Sequence, residues 1–216
     1  GSTRRLSLKD IEFNLTQAGT MTKVIEPLTK LMKDHNTLES IGLSFMDLNN
    51  QLVIDFELLS SGFQGLRSLK SLELIFANLF ASPANILSEL GTGISYLLTL
   101  KTLSLNFITS SCITDKSVSE LVVGFQCLAA LTNLKLTFSH CIGISDEGLQ
   151  ALGEAIENLK SLQEFYFKIS YSEMEGDGIY SFLNGLKGLD LKTLRIDIGS
   201  NGNLSNSALV LLGETL

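Results

Sequence analysis

One eight-residue pattern recurs along this chain and limits what it can fold into. LTNLKLTF at Leu131 has near copies in LKDIEFNL at Leu8, LESIGLSF at Leu38, LKSLELIF at Leu69, LKTLSLNF at Leu100, LQEFYFKI at Leu162 and LKTLRIDI at Leu191, so the copies begin 29 to 31 residues apart. A period of this size dictates an array of stacked supersecondary units in place of one closed core. Within each copy, apolar residues fill the first, fourth, sixth and eighth places. The last three follow the period of two that sends side chains to one face of a strand. In the Leu131 copy, Leu134, Leu136 and Phe138 are expected to point inward, and Asn133, Lys135 and Thr137 outward. Each copy therefore reads as one short, half-buried strand. The long crossover from copy to copy predicts that successive strands pair in parallel.

The second half of each unit reads as an amphipathic helix. Leu149, Leu152, Ile156 and Leu159 form one apolar stripe, and Val118, Leu121, Phe125 and Leu128 form its equivalent one unit earlier. Thr114, Ser145 and Ser205 stand where an N-cap is needed, and Asp115 and Asp146 follow two of them where the helix dipole favours an acid. Ser82 and Pro83 supply a cap and a first helical residue in the third unit. Pro27 falls inside the apolar spacing of the first unit, so that helix is expected to begin there or to kink. Gly62, Gly93, Gly124 and Gly185 share one position late in the helix. Glycine costs a helix about 1 kcal/mol relative to alanine, so its recurrence predicts close packing against a neighbour.

The LxxLxL pattern, carried by all seven copies, resembles the leucine-rich repeat, and the unit length with a helix in its second half is most similar to the ribonuclease-inhibitor-type subfamily. The resemblance implies a curved right-handed α/β solenoid, a horseshoe arc of about seven repeats of about 31 residues, with parallel strands on the concave face and helices on the convex face. The family usually places Asn or Cys at the ninth place, where it bonds the loop backbone. Here that place holds Thr16, Met46, Ala77, Ile108, Ser139, Ser170 and Gly199, while the eighth is apolar throughout, with Phe45, Phe76, Phe107 and Phe138 at its centre. A stacked column of Phe is expected in place of an Asn ladder.

The unbroken period implies one domain over residues 8–216, with repeats starting at 8, 38, 69, 100, 131, 162 and 191, after a flank of residues 1–7. Gly1 and Ser2, with no initiating Met, read as a tag-cleavage scar, and the lack of polar terminal caps implies a piece of a longer chain. A formal net charge of −7 argues against a sequence-independent nucleic-acid binder. No uninterrupted apolar run approaches the roughly 20 residues of a membrane span. Three cysteines, Cys112, Cys127 and Cys141, form no disulfide framework, which points to an intracellular, cytoplasmic setting.

Catalytic groups are scarce. The histidines are His35 and His140, and no Gly-rich phosphate loop, HExxH or paired CxxC is present. Cys112, His140 and Cys141 fall in adjacent strand-to-helix loops and form the one constellation worth weighing for a metal or a redox pair. Buried small apolar cysteines are the simpler reading, and no cofactor or metal is expected. The resembled subfamily also includes GTPase-activating proteins of the Ran type, whose activity is associated with an Arg on a loop after a strand. Arg4, Arg5, Arg67 and Arg195 do not occupy such a position.

What remains is a surface. The third, fifth and seventh places of each strand face the concave side. Acids dominate the first repeat, small neutral groups fill the second and fourth, and the last three repeats carry Lys135, Lys168 and Arg195 around Tyr166, with Glu164 and Asp197 beside them. Tyr and Arg are enriched in interface hot spots. The sequence therefore reads as a non-catalytic protein–protein interaction scaffold, whose concave face takes a protein partner with an acidic surface through Lys135, Glu164, Tyr166, Lys168, Arg195 and Asp197. The alternatives are a Ran-type GTPase-activating protein and a structural segment that self-associates end to end.

Overall fold

The computed structural model describes residues 8–16, 22–46, 54–80 and 85–201. Seven strands, β1 (Asp10–Thr16), β2 (Ser40–Met46), β3 (Ser71–Ala77), β4 (Thr102–Ile108), β5 (Asn133–Ser139), β6 (Glu164–Ser170) and β7 (Thr193–Asp197), make one open parallel sheet in sequence order. Among the described residues, six helices alternate with them: α1 (Thr22–Asp34), α2 (Phe56–Ser61), α3 (Ile86–Ser95), α4 (Asp115–Val122), α5 (Asp146–Ile156) and α6 (Asp177–Leu186). The arrangement is repeat-like and fits a solenoid. No helix among the described residues is long and apolar enough to cross a membrane.

Register follows the sequence pattern place by place. Leu74 pairs with Leu105, Leu105 with Leu136, and Leu136 with Phe167, so each inward column repeats across the sheet. A one-residue slip would turn these columns to solvent, which fixes the pairing. At the eighth place, Phe45, Phe76, Phe107 and Phe138 form the expected column, with successive ring centroids 5.4, 5.5 and 5.5 Å apart and planes within 15° of parallel. All four rings are fully buried.

The loop-bonding role expected at the ninth place falls instead at the eleventh. Most strands run on through the ninth place, so the chain turns at the tenth, where Asn78, Thr109, His140, Tyr171 and Ser200 take φ between 50° and 64°. The next side chain then points into the loop. Buried Ser110 accepts from the Leu79 amide and donates to the Ile108 carbonyl. Asn201 does the same work more fully, donating to the carbonyls of Ile169 at 3.0 Å and Ile198 at 2.7 Å.

Of the two placements expected for Pro27, the structure excludes a helix that begins there, because Pro27 lies within α1 on the exposed side, where its missing N–H removes one bond to the preceding turn. Two later helices end earlier than expected. The Val118 stripe is not all α-helix, because α4 stops at Val122 and the chain tightens into a 3₁₀ turn over Val123–Cys127 that carries Phe125. Leu159 likewise lies beyond α5, though both side chains are buried as read. Thr114 and Ser145 are the caps of α4 and α5, whereas Ser82, Pro83 and Ser205 lie outside the described residues.

Asp115 and Asp146 do more than face a helix dipole. Each carboxylate reaches forward to the helix of the next unit. Asp115 accepts from the Ser145 amide and hydroxyl, both at 2.7 Å, and from the Gly148 amide at 2.9 Å. Asp146 accepts from the amides of Glu175, Gly176 and Asp177. The N-cap of α6 is Gly176, at φ 135° with no side chain of its own, so Asp146 supplies the acceptor that this helix lacks. The recurrent glycines are the close approaches. A Cβ on Gly124 would lie 2.2 Å from the Gly91 carbonyl oxygen, and one on Gly185 would lie 2.2 Å from that of Gly153.

Candidate functional site

Parallel pairing lines up the outward places into rows that cross the strands. The fifth-place row runs Glu12, Gly42, Glu73, Ser104, Lys135, Tyr166 and Arg195, with each residue beside the next. Adjacent strands are about 4.8 Å apart, so this row changes from acidic to basic as it crosses the sheet. The third-place row beside it is shorter in side chain and mostly neutral, with Ser71, Thr102, Asn133 and Thr193 interrupted by Glu164.

These two rows line a shallow hollow of about 680 Å³ over β3 to β7. Its floor is the backbone and the edges of buried Leu103, Leu134 and Phe165. Short side chains on β3 and β4 leave the space, and the longer Lys135, Glu164, Tyr166 and Arg195 close its far side. Tyr166 is half-buried, and the Lys135 ammonium lies 5.7 Å from its ring centroid, within cation–π range. Glu73 accepts a bond from the Ser104 hydroxyl at 3.2 Å. Arg195 is exposed and has no ion-pair partner among the described residues.

The six residues read from the sequence therefore separate into two groups. Lys135, Glu164, Tyr166 and Arg195 border the hollow. Lys168 and Asp197 stand at the seventh place, outside its lining, and form an ion pair at 2.6 Å. The Asp197 bond raises the Lys168 pKa, and the same bond, with a second from the Gly199 amide, lowers that of Asp197. Lys168, read from the sequence as one of three cations around Tyr166, is thus already paired with Asp197. Glu73, Ser104 and Asn133 belong to the hollow too. Their outward places were readable, but the depth left by short neighbours was not.

Cys112, His140 and Cys141 do not come together as a set of three ligands. Cys141 is buried, and burial pushes its thiol up to about 12. Cys112 is half-buried, with its thiol donating to the Leu79 carbonyl at 3.0 Å, and burial raises its pKa as well. His140 is exposed and stacks on Tyr171 with centroids 3.9 Å apart. Among the described residues, no group of three or more His, Cys, Asp or Glu is placed to hold a metal ion. Arg67 lies in the turn before β3, and Arg195 projects from β7. The chain matches no protein-family model and no curated protein.

Proposed function

We propose that this chain is a leucine-rich-repeat scaffold without catalytic activity, and that it holds a protein partner in the hollow on the open, concave side of its sheet. The observation that carries this reading is the position of Tyr166. It is a half-buried aromatic at the wall of a hollow of about 680 Å³, with Lys135 on one side and Arg195 on the other in the same cross-strand row. Two cations flanking an aromatic suit a partner that brings an acidic side chain to the Lys135 ammonium or the Arg195 guanidinium and apolar surface to the ring, and charge complementarity of this kind steers encounter. Lys168 contributes less, since its charge is already met by Asp197.

The test is capture from cell extract with three forms of the chain. The first is unaltered, the second carries Lys135→Glu, Tyr166→Ala and Arg195→Glu, and the third carries Tyr180→Ala. Tyr180 lies on α6 with Lys187 5.8 Å from its ring centroid, which makes it a matched aromatic on the helical side. A partner retained by the third form and lost by the second supports the reading. Retention by the second form and loss from the third would move the interface to the helices.

A further inference from the structure

We propose that the two edges of the sheet are complementary to each other, so that a second copy of this chain lays its β1 along β7 of the first and continues the array head to tail. Among the described residues, β1 and β7 each pair on one side only. Among those residues, the outer backbone N–H and C=O groups of both edges meet no other strand.

The register is set by the pairing inside the chain, where every place stands beside the same place of the next strand. Carried across the junction, that rule puts Arg195 of one copy opposite Glu12 of the next. Neither has an ion-pair partner among the described residues. Opposite charges directly across parallel or antiparallel neighbours stabilise the pairing, and like charges oppose it. The same register sets Thr193 beside Asp10, and Asp197 beside the Asn14 amide.

The inward side agrees with the charges. Phe13 is 38% exposed, whereas Leu43, its counterpart one strand in, is 1% exposed. Ile11 and Leu15 are also only partly buried, and an almost wholly apolar hollow of about 130 Å³ opens between this edge and α1. At the other edge, Leu194, Ile196 and Ile198 are partly buried where the equivalent Phe165, Phe167 and Ile169 are covered. Docking in register would extend the fourth, sixth and eighth columns from one copy into the next. One pair runs against the scheme, since Lys192 would face Lys9. Each already reaches back into its own copy, Lys192 to the Gln163 side chain at 2.8 Å and Lys9 to Glu39 at 2.9 Å.

An interface between two different edges is heterologous, so growth is not limited to a pair. Analytical ultracentrifugation of the 216-residue chain at low salt, across a concentration series, tests this. The unaltered chain should show average mass rising past that of a dimer. Glu12→Arg and Arg195→Glu should each weaken association by roughly tenfold or more, because each replaces attraction with repulsion across the junction. An equimolar mixture of the two variants should associate again, since the altered edge of either meets an opposite charge on the other. Mass that stays monomeric, growth that stops at a dimer, or a mixture no better than its components would each overturn the proposal. No partner is present in this experiment, so its outcome is independent of the reading given to the hollow.

Discussion

Adding one methyl group to either of two glycines should have opposite effects on stability. At Gly124 the new Cβ would sit 2.2 Å from the Gly91 carbonyl oxygen, 2.8 Å from its carbonyl carbon and 3.0 Å from its Cα. All three are backbone atoms, so no side chain can rotate away and the two units must move apart. Overpacking of this kind costs about 1–3 kcal/mol, and a backbone obstacle puts Gly124→Ala in the upper part of that range. The reduced entropy of the unfolded chain returns about 0.4–1 kcal/mol, leaving a net loss of about 2 kcal/mol. For a chain of this size that lowers Tm by roughly 4–8 °C. At Gly65, in the 3₁₀ turn Phe63–Gly65, nothing lies within 4 Å of an added Cβ and φ is not positive. Gly65→Ala should therefore gain about 0.4–1 kcal/mol. Gly185→Ala meets the Gly153 backbone at another junction, so its cost should add to that of Gly124→Ala. Urea unfolding followed by circular dichroism measures the parent, the three single variants and the Gly124→Ala/Gly185→Ala double variant. A neutral Gly124→Ala, or a Gly65→Ala less stable than its parent, would refute the close-approach argument.

Three other outcomes follow from the same structure. Phe107, stacked between Phe76 and Phe138, should cost about 3–5 kcal/mol on replacement by Ala. Asn106→Ala should be near neutral or slightly stabilising, because its buried side-chain oxygen has no hydrogen-bond partner; denaturant melts with the reverse ranking would invert the assignment of inward and outward faces. Asp146→Ala should cost about 1.5–3 kcal/mol, and hydrogen exchange should speed up at the Gly176 and Asp177 amides of the next unit more than within α5. Glu39, held at about 2 against an ordinary 4.5 by hydrogen bonds from Lys70 and Lys9, contributes stability that is complete above pH 4.5 and is lost as pH falls toward 2. Glu39→Gln should flatten the acid titration of stability in that window, and an unchanged slope would show that the exposed pairs contribute nothing.

The columns were legible because burial at the fourth, sixth and eighth places leaves a period-two signature that repeats at one spacing along the chain. Phe76 and Phe107 could be placed in one column from spacing alone, and so could the cross-strand neighbours Lys135, Tyr166 and Arg195. What the spacing could not give was any contact that depends on side-chain reach. The Lys168–Asp197 pair spans two strands one step apart at the same place, and only the conformations of both side chains tell pairing from mutual indifference. The forward reach of Asp115 and Asp146 was hidden for a related reason. A residue just after an N-cap is fully explained by its own helix, so nothing in the sequence signals that it serves the next one. The turn at the tenth place was missed because its residues, among them Thr109, His140 and Tyr171, are not the glycines that a positive φ favours.

The most direct test of the proposed function compares two tyrosines on opposite sides of the protein. A photo-reactive benzophenone side chain is placed at position 166 in one protein and at position 180 in another, and each is irradiated with the partner bound. Tyr166 is half-buried at the wall of the hollow and Tyr180 is 50% exposed on α6, so exposure alone favours cross-linking at 180. The account predicts covalent capture from position 166 and little or none from position 180. Capture from position 180 alone would contradict it and assign the partner to the helical side.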